Sequence, residues 1–258
     1  MIKSAAVIGT GNVAYHMLRG FRSLNIDNVV VWGRDAHKRE MLARKFGYNA
    51  VENMEDINSA TQLCIICVSD EAIPVIVEKL NMLNGVVCHT SGSTSIDIVA
   101  NMFPHAGVLW PLQSLSAYHD ISFENIPLCI EASDEKSRKL LIYFTELLTG
   151  KYVETTSEQR LLLHIAAVMV SNFSNHLAAL AKSLLHDQQL SFDLLKPLIR
   201  ETAEKLQRLD PVDAQTGPSA RNDIKTEEKH IKRLDNTKKI QELYRHFSQS
   251  IKLFHNKA

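Results

Sequence analysis

The segment Gly9-Thr-Gly11-Asn-Val-Ala14 constrains this chain more than any other. It follows the apolar run Ala5–Ile8 directly and leads straight into a helical pattern carried by Tyr15, Leu18 and Phe21. Gly9 permits a tight turn off the strand, and Gly11 lets backbone N–H groups approach a bound group with no Cβ in the way. Ala14 is small enough for the helix to pack on the strand. The helix N terminus then faces the ligand with its partial positive charge, which is what a dinucleotide pyrophosphate needs. Such a string also occurs in plain structural turns; here a second strand follows at the spacing of a βαβ unit.

The alternation continues. Strand-like runs lie at Val29–Trp32, Leu63–Val68, Val86–Cys88, Ala106–Leu109, Leu128–Ile130 and Tyr152–Glu154, with helical stretches near 12–24, 38–46, 71–80 and 134–149. This predicts an α/β domain over residues 1–155, a Rossmann-like doubly wound and mostly parallel sheet. From Ser157 the texture changes to helical patterns over 158–185, 192–209 and 224–251, with no strand candidate. Residues 156–258 are therefore expected to form a smaller all-α domain for substrate binding and dimerisation.

Charge narrows the partners. Lys and Arg number 29 against 29 Asp and Glu, so neither nucleic acid nor an anionic membrane surface is expected as a partner. No apolar run approaches the length of a membrane span, and the N terminus enters a strand with no leader pattern, so the expected location is cytoplasmic. The chain has 4 cysteines, of which Cys64 and Cys67 invite a redox or zinc reading. They sit in apolar strand-like runs, and residues three apart on a strand face opposite ways. They are read as small buried hydrophobes, and no metal site is expected.

The choice between NADP and NAD turns on the end of the second strand. NAD-binding folds carry Asp or Glu there, about 20 residues past the glycines, to hold the ribose 2′-hydroxyl. This chain has Gly33-Arg34-Asp35. A guanidinium suits a 2′-phosphate through paired charge-assisted hydrogen bonds, so Arg34 points to NADP, with His37, Lys38 and Arg39 adding positive potential or simply being solvated. Asp35 either reaches a 2′-hydroxyl or caps the next helix.

Further candidates follow strand ends. Val68, Ser69 and Asp70 either line the cofactor ribose or cap a helix. His89-Thr90-Ser91-Gly92-Ser93 forms either the nicotinamide-side wall, with His89 on the cofactor and Ser91 on the substrate, or a hydroxyl-rich capping turn. Trp110-Pro-Leu-Gln113 continues the rim. In the long apolar pattern after Glu158, a polar stripe of His164, Ser171, Asn172, Asn175 and His176 stands out. So apolar a helix is expected to be buried, and buried polar groups need partners. The stripe is either an interhelical network or a ligand cleft in which His164 moves a proton and Asn172 and Asn175 orient polar groups. Arg221, on the loop after Gly217-Pro218, meets either an anionic substrate group or a structural carboxylate, and Asp223 reads as the cap of the next helix.

Gly-Thr-Gly-Asn-Val-Ala at 9–14, Trp-Pro-Leu-Gln-Ser at 110–114, His-Ile-Ala-Ala-Val-Met-Val-Ser-Asn at 164–172 and Thr-Gly-Pro-Ser-Ala-Arg-Asn-Asp at 216–223 resemble a bacterial family of NADP oxidoreductases. That family joins a Rossmann-like domain to a helical domain of uncharacterised function. More distantly the layout is similar to pyrroline-5-carboxylate reductase, ketopantoate reductase, 6-phosphogluconate dehydrogenase-like enzymes and deazaflavin-dependent NADP reductases. The resemblance implies NADP as cofactor and a substrate site beside the long helix. Relatives often carry His where this chain has Trp110, and the lysine that hydroxyacid dehydrogenases place on the long helix has no counterpart here. The expected activity is hydride transfer between nicotinamide and a small polar carbonyl, imine or alcohol, in a homodimer. The alternative is a non-catalytic NADP-binding sensor or interaction protein.

Overall fold

The computed structural model describes residues 2–116, 122–124, 126–186 and 188–255. Its strands are β1 (Ala5–Ile8), β2 (Val29–Trp32), β3 (Asn49–Ala50), β4 (Leu63–Ile66), β5 (Val86–His89), β6 (Ala106–Pro111), β7 (Leu128–Ala132) and β8 (Tyr152–Glu154). They form one sheet in the order β3-β2-β1-β4-β5-β6-β7-β8. The chain order reverses at β1, whose neighbours are β2 on one side and β4 on the other. That switch point is where open α/β sheets bind ligands, at the carboxyl ends of the strands. The sheet is Rossmann-like, as the alternation predicts.

β1 to β6 pair in parallel, β7 runs antiparallel to β6, and β8 is parallel to β7. Parallel neighbours need a crossover, usually a helix. Helices α1 (Asn12–Ser23), α2 (Ala36–Phe46), α3 (Ile73–Lys79), α4 (Asp97–Ala100) and α5 (Glu135–Leu148) flank the sheet. Among the described residues of 112–127 no helix occurs, and the chain returns beside β6 in the opposite sense.

Both sheet faces are covered, which is why the central strands read as unbroken apolar runs. One layer packs Val7, Ile65 and Cys88 against Phe21 of α1 and Phe144 of α5. The other packs Ile8, Cys64 and Ile66 against Val77 of α3 and Val99 of α4. Cys64 and Cys67 lie in opposite layers, and all four cysteines are free and buried. Burial pushes the Cys67 thiol up to about 12 and Cys64 higher still, so both stay protonated and unreactive.

The remaining helices are α6 (Ser157–Val168), α7 (Ser174–His186), α8 (Lys196–Leu206), α9 (Ile224–Arg233) and α10 (Lys238–His255), with a π turn, Met169–Phe173, between α6 and α7. The chain divides into two compact units, Met1–Asn172 and Phe173–Ala258. Thus α6 belongs to the sheet-bearing unit. In the second unit Asp223 caps α9, accepting the Thr226 N–H at 3.1 Å, and Lys252 of α10 pairs with Glu227 of α9 at 2.6 Å.

Two expectations are corrected. The long helix is not buried within one chain: Arg160 is the sole buried residue described in α6 and α7, while Leu162, Ile165, Met169 and Val170 are 69, 50, 58 and 76 % exposed. Among the described residues of the sheet-bearing unit, none covers that apolar side. Moreover, Ser157–His186 is a 30-residue helix of mean hydropathy 1.3 over its most apolar part, long and apolar enough to cross a membrane by length and composition.

Candidate active site

The loops leaving β1, β2, β4, β5 and β6, together with α6, enclose a cavity of about 1240 Å³. It is larger than the roughly 300–1,000 Å³ usual for small-ligand pockets and is suited to an extended ligand. Gly9, Thr10, Gly11, Asn12 and Val13 form its floor. Gly9 has φ +130°, and a Cβ there would stand 2.2 Å from the Cys67 carbonyl oxygen, so β1 and the end of β4 approach this closely only through glycine. Gly11 is the N-cap of α1 and carries no side-chain cap; a Cβ on it would meet nothing within 4 Å. The cradle is therefore open above the helix N terminus, and its geometry fits a pyrophosphate.

The end of β2 explains the missing acid. A Cβ at Gly33 would lie 2.4 Å from Thr10 Cγ2, so any side chain there would collide with the floor of the cradle. Arg34 beside it is exposed and lines the cavity. Asp35 is the N-cap of α2: it accepts the Lys38 N–H at 3.0 Å and pairs with Lys38 Nζ at 3.9 Å. The Lys38 backbone bond is the chief cause holding its carboxyl below the usual range. Arg39 is buried and donates to the Gly33 carbonyl at 3.1 Å, so it braces the loop from behind. Arg34 and Lys38 are left to offer positive charge to the cavity.

Sequence reasoning missed several residues at this end. Trp32 and Met54 line the wall, and α3 adds Val75, Ile76 and Lys79. The signal was present: positions 75, 76 and 79 share one helical face right after the β4 loop.

At the other end, Val68, Ser69, Asp70, Thr90 and Ser91 line the cavity. Ser93 Oγ donates to the Asp70 carboxylate, linking the loops after β4 and β5. Ser91 Oγ accepts the N–H groups of Ser93 at 3.1 Å and Thr94 at 3.0 Å, which gives this loop its tight shape. His89 does not reach the cavity. Its side chain is fully buried, and Nδ1 accepts the Ser91 N–H at 3.1 Å. Burial, and then the nearby Arg160 charge, hold its pKa down to about 4, with the Ser95 backbone working the other way. His89 is thus neutral at pH 7 and shapes the turn.

His164 of α6 does reach the cavity. Its ring meets Trp110 edge-on, with centroids 5.5 Å apart and planes at 77°. A Cβ at Gly92 would stand 2.8 Å from Trp110 Cε2 and 2.9 Å from His164 Cδ2. Gly92, Trp110 and His164 therefore form one close-packed wall. Gln113 lines the rim and accepts the Ser114 N–H through its own Oε1 at 2.9 Å. Asn172 is exposed in the π turn and does not line the cavity. The π turn changes the helical step, so uniform α spacing does not carry His164's direction on to residue 172. Asn175 is exposed on α7, and Arg221 is exposed on its loop between Gly217 and Asp223 in the second unit.

Residues 4–99 match the family described as NADP oxidoreductase, coenzyme F420-dependent, and residues 126–251 match a domain of unknown function, DUF2520. No curated protein matches the chain. Among solved structures, a protein of Bacteroides fragilis described as a putative NADP oxidoreductase is 33 % identical, with 98 % of this chain and 99 % of that one covered and a TM-score of 0.88. A 1-pyrroline-5-carboxylate reductase of Streptococcus pyogenes shares the fold at 12 % identity, with 96 % and 98 % covered and a TM-score of 0.66. An imine reductase of Myxococcus stipitatus in complex with NADP+ shares it at 15 % identity, with 99 % and 93 % covered and a TM-score of 0.62. The glycine cradle, the arginine after β2 and this full-length similarity agree, and the chain belongs to the family of NADP oxidoreductases that couple a Rossmann-like domain to a DUF2520 domain.

Proposed function

We propose that this chain is an NADP(H)-dependent reductase or dehydrogenase acting on a small polar carbonyl, imine or alcohol. One observation carries the reading: a single cavity joins the glycine cradle and Arg34 at one end to the Gly92, Trp110 and His164 wall at the other. Backbone N–H groups at 9–13 would hold the pyrophosphate, Arg34 with Lys38 the 2′-phosphate, and Ser69 with Asp70 the ribose hydroxyls. When bound, the nicotinamide supplies or accepts the hydride. Trp110 and Gly92 present a flat wall that excludes water, and His164 gives or takes the proton at the substrate oxygen or nitrogen. Alignment of the two reactants supplies most of the acceleration, and the proton donor a factor of about 10²–10⁴. Ser91, on the cavity wall, is a polar group for orienting substrate.

The exposed apolar side of α6 suits a second copy of the chain rather than lipid. The same helix carries His164, and its first turn holds Arg160 in an ion pair with Glu131 of β7. We read the protein as a cytoplasmic homodimer.

Calorimetric titration with NADPH and NADH, on the native protein and on Arg34→Ala, tests the cofactor assignment. Micromolar NADPH binding is expected, with NADH at least tenfold weaker. In Arg34→Ala that preference should fall by roughly 10-fold or more, the worth of a charge-assisted bond of about 1.5–3 kcal/mol. Absence of binding by either nucleotide would end the oxidoreductase reading. If NADPH binds, a screen of carbonyl and imine substrates, with and without a deazaflavin, separates an enzyme from a sensor. In the enzyme, His164→Ala should cut turnover by about 10²–10⁴-fold and leave NADPH affinity unchanged. In a sensor it would cost only stability.

A further inference from the structure

The most completely buried charge in the sheet-bearing unit is not in the cavity. Arg160 is 0 % exposed, although arginine is almost never fully buried unless paired. Its Nη1 donates to Glu131 Oε2, and its Nη2 donates to the Thr94 carbonyl and to Ser157 Oγ. Ser157 also donates its N–H to Glu131 Oε1 at 3.0 Å and its hydroxyl to Oε2 at 2.8 Å, and it accepts the Ile96 N–H at 3.1 Å. Strand β7, the first turn of α6 and the chain just after β5 are thereby fastened at one point.

That point belongs to a closed circuit around the cavity wall. Thr94 is gripped at both ends: its carbonyl by Arg160 and its N–H by Ser91 Oγ. Ser91 and Gly92 line the cavity, and Gly92 abuts the His164 ring. His164 lies one helical turn beyond Arg160 on the same face of α6, about 6 Å along the axis. The circuit therefore runs from Arg160 along the helix to His164, across to Gly92, along the loop to Thr94 and back to Arg160. A lysine could meet Glu131 or the Thr94 carbonyl as a point charge but lacks the planar fork that serves both.

We propose that Arg160, clamped between Glu131 and the Thr94 carbonyl, is a positioning residue that sets His164 against the Gly92–Trp110 wall. This rests on the reading of His164 as the proton-transferring group. Arg160 itself touches neither the cavity nor the reacting atoms.

The test needs no substrate and no cofactor. In the edge-on contact, the Trp110 ring current shifts the carbon-bound ring protons of His164. Spectra of protein labelled with ¹³C-histidine, with His164 assigned through His164→Gln, read that shift directly. It should fall by half or more in Arg160→Lys and Glu131→Gln, while the spectrum outside this wall stays that of the native fold. Ser157→Ala, which removes one hydroxyl from the joint, should give a smaller change in the same direction. An unchanged His164 shift in Arg160→Lys and Ser157→Ala would overturn the proposal, even if Glu131→Gln fails to fold. Because these spectra are recorded without nucleotide, a failure of the protein to bind NADPH would be seen separately and would sink the proposed function instead.

Discussion

Two glycines of one motif do different jobs, and substitution should separate them. Alanine at Gly9 forces a Cβ to 2.2 Å from a backbone oxygen in a conformation, φ +130°, that side chains rarely adopt. Gly9→Ala should lose stability by roughly 1–3 kcal/mol or more, read as a lowered thermal midpoint, and lose NADPH binding with it. Gly11→Ala meets open space and should cost about 1 kcal/mol or less as a changed N-cap, yet weaken NADPH binding by tenfold or more. Equal thermal and binding losses in the two variants would contradict this division. The motif was legible because strand, turn and helix are local. Gly33 was legible only as the absence of an acid; its collision with Thr10 depends on how β1 and β2 lie side by side. Arg160 was not legible at all, since Glu131 lies 29 residues earlier and nothing local marks the pair.

Among the elements, α5 shows how a cap couples folding to pH. Asp134 accepts the N–H groups of Lys136 at 2.8 Å and Ser137 at 3.1 Å, and it also accepts from Ser137 Oγ and faces His105 Nδ1 at 3.2 Å. Partial burial raises its pKa, but these bonds together outweigh that and hold the carboxyl well below the ordinary carboxylate range. A depressed folded-state pKa gives stability that is present above the unfolded value, about 3.9, and is lost as pH falls through the folded value. Asp134→Ala should therefore cost about 1–2 kcal/mol at pH 7, and the gap to the native protein should narrow as pH drops below about 4. Denaturant melts at pH 7 and pH 3 measure both; a gap that widens on acidification would contradict the assignment. Element type along the sheet followed the sequence closely, because strands buried on both faces and amphipathic helices write different periods. The antiparallel turn-back at β7 and the π turn at Met169–Phe173 did not show, since pairing direction and helical step are settled by packing.

For the molecule as a whole, the exposed apolar side of α6 and the π turn after it calls for a partner. Leu162 and Val170, at 69 and 76 % exposure, would face another chain in a homodimer. Sedimentation of the native protein at micromolar concentration should give a dimer of the 29.1 kDa chain, and Leu162→Glu with Val170→Glu should give a folded monomer. A native monomer would remove the dimer from the proposal. Burial of this face was expected from the composition of the helix, but composition says only that the face needs cover. It does not say whether cover comes from the same chain.

By itself the sequence determined the fold class, the nucleotide cradle and the arginine after β2, because each depends on contacts between residues near in the chain. Tertiary structure alone decided which polar residues share a cavity. It put His164 there and left Asn172 outside, turned His89 inward as a neutral bracket, spent Asp35 as a cap, and buried Arg160 behind the wall. Those outcomes depend on where distant segments come to rest and on the cost of leaving a buried charge or polar atom unpaired, and neither is written in any local stretch of chain.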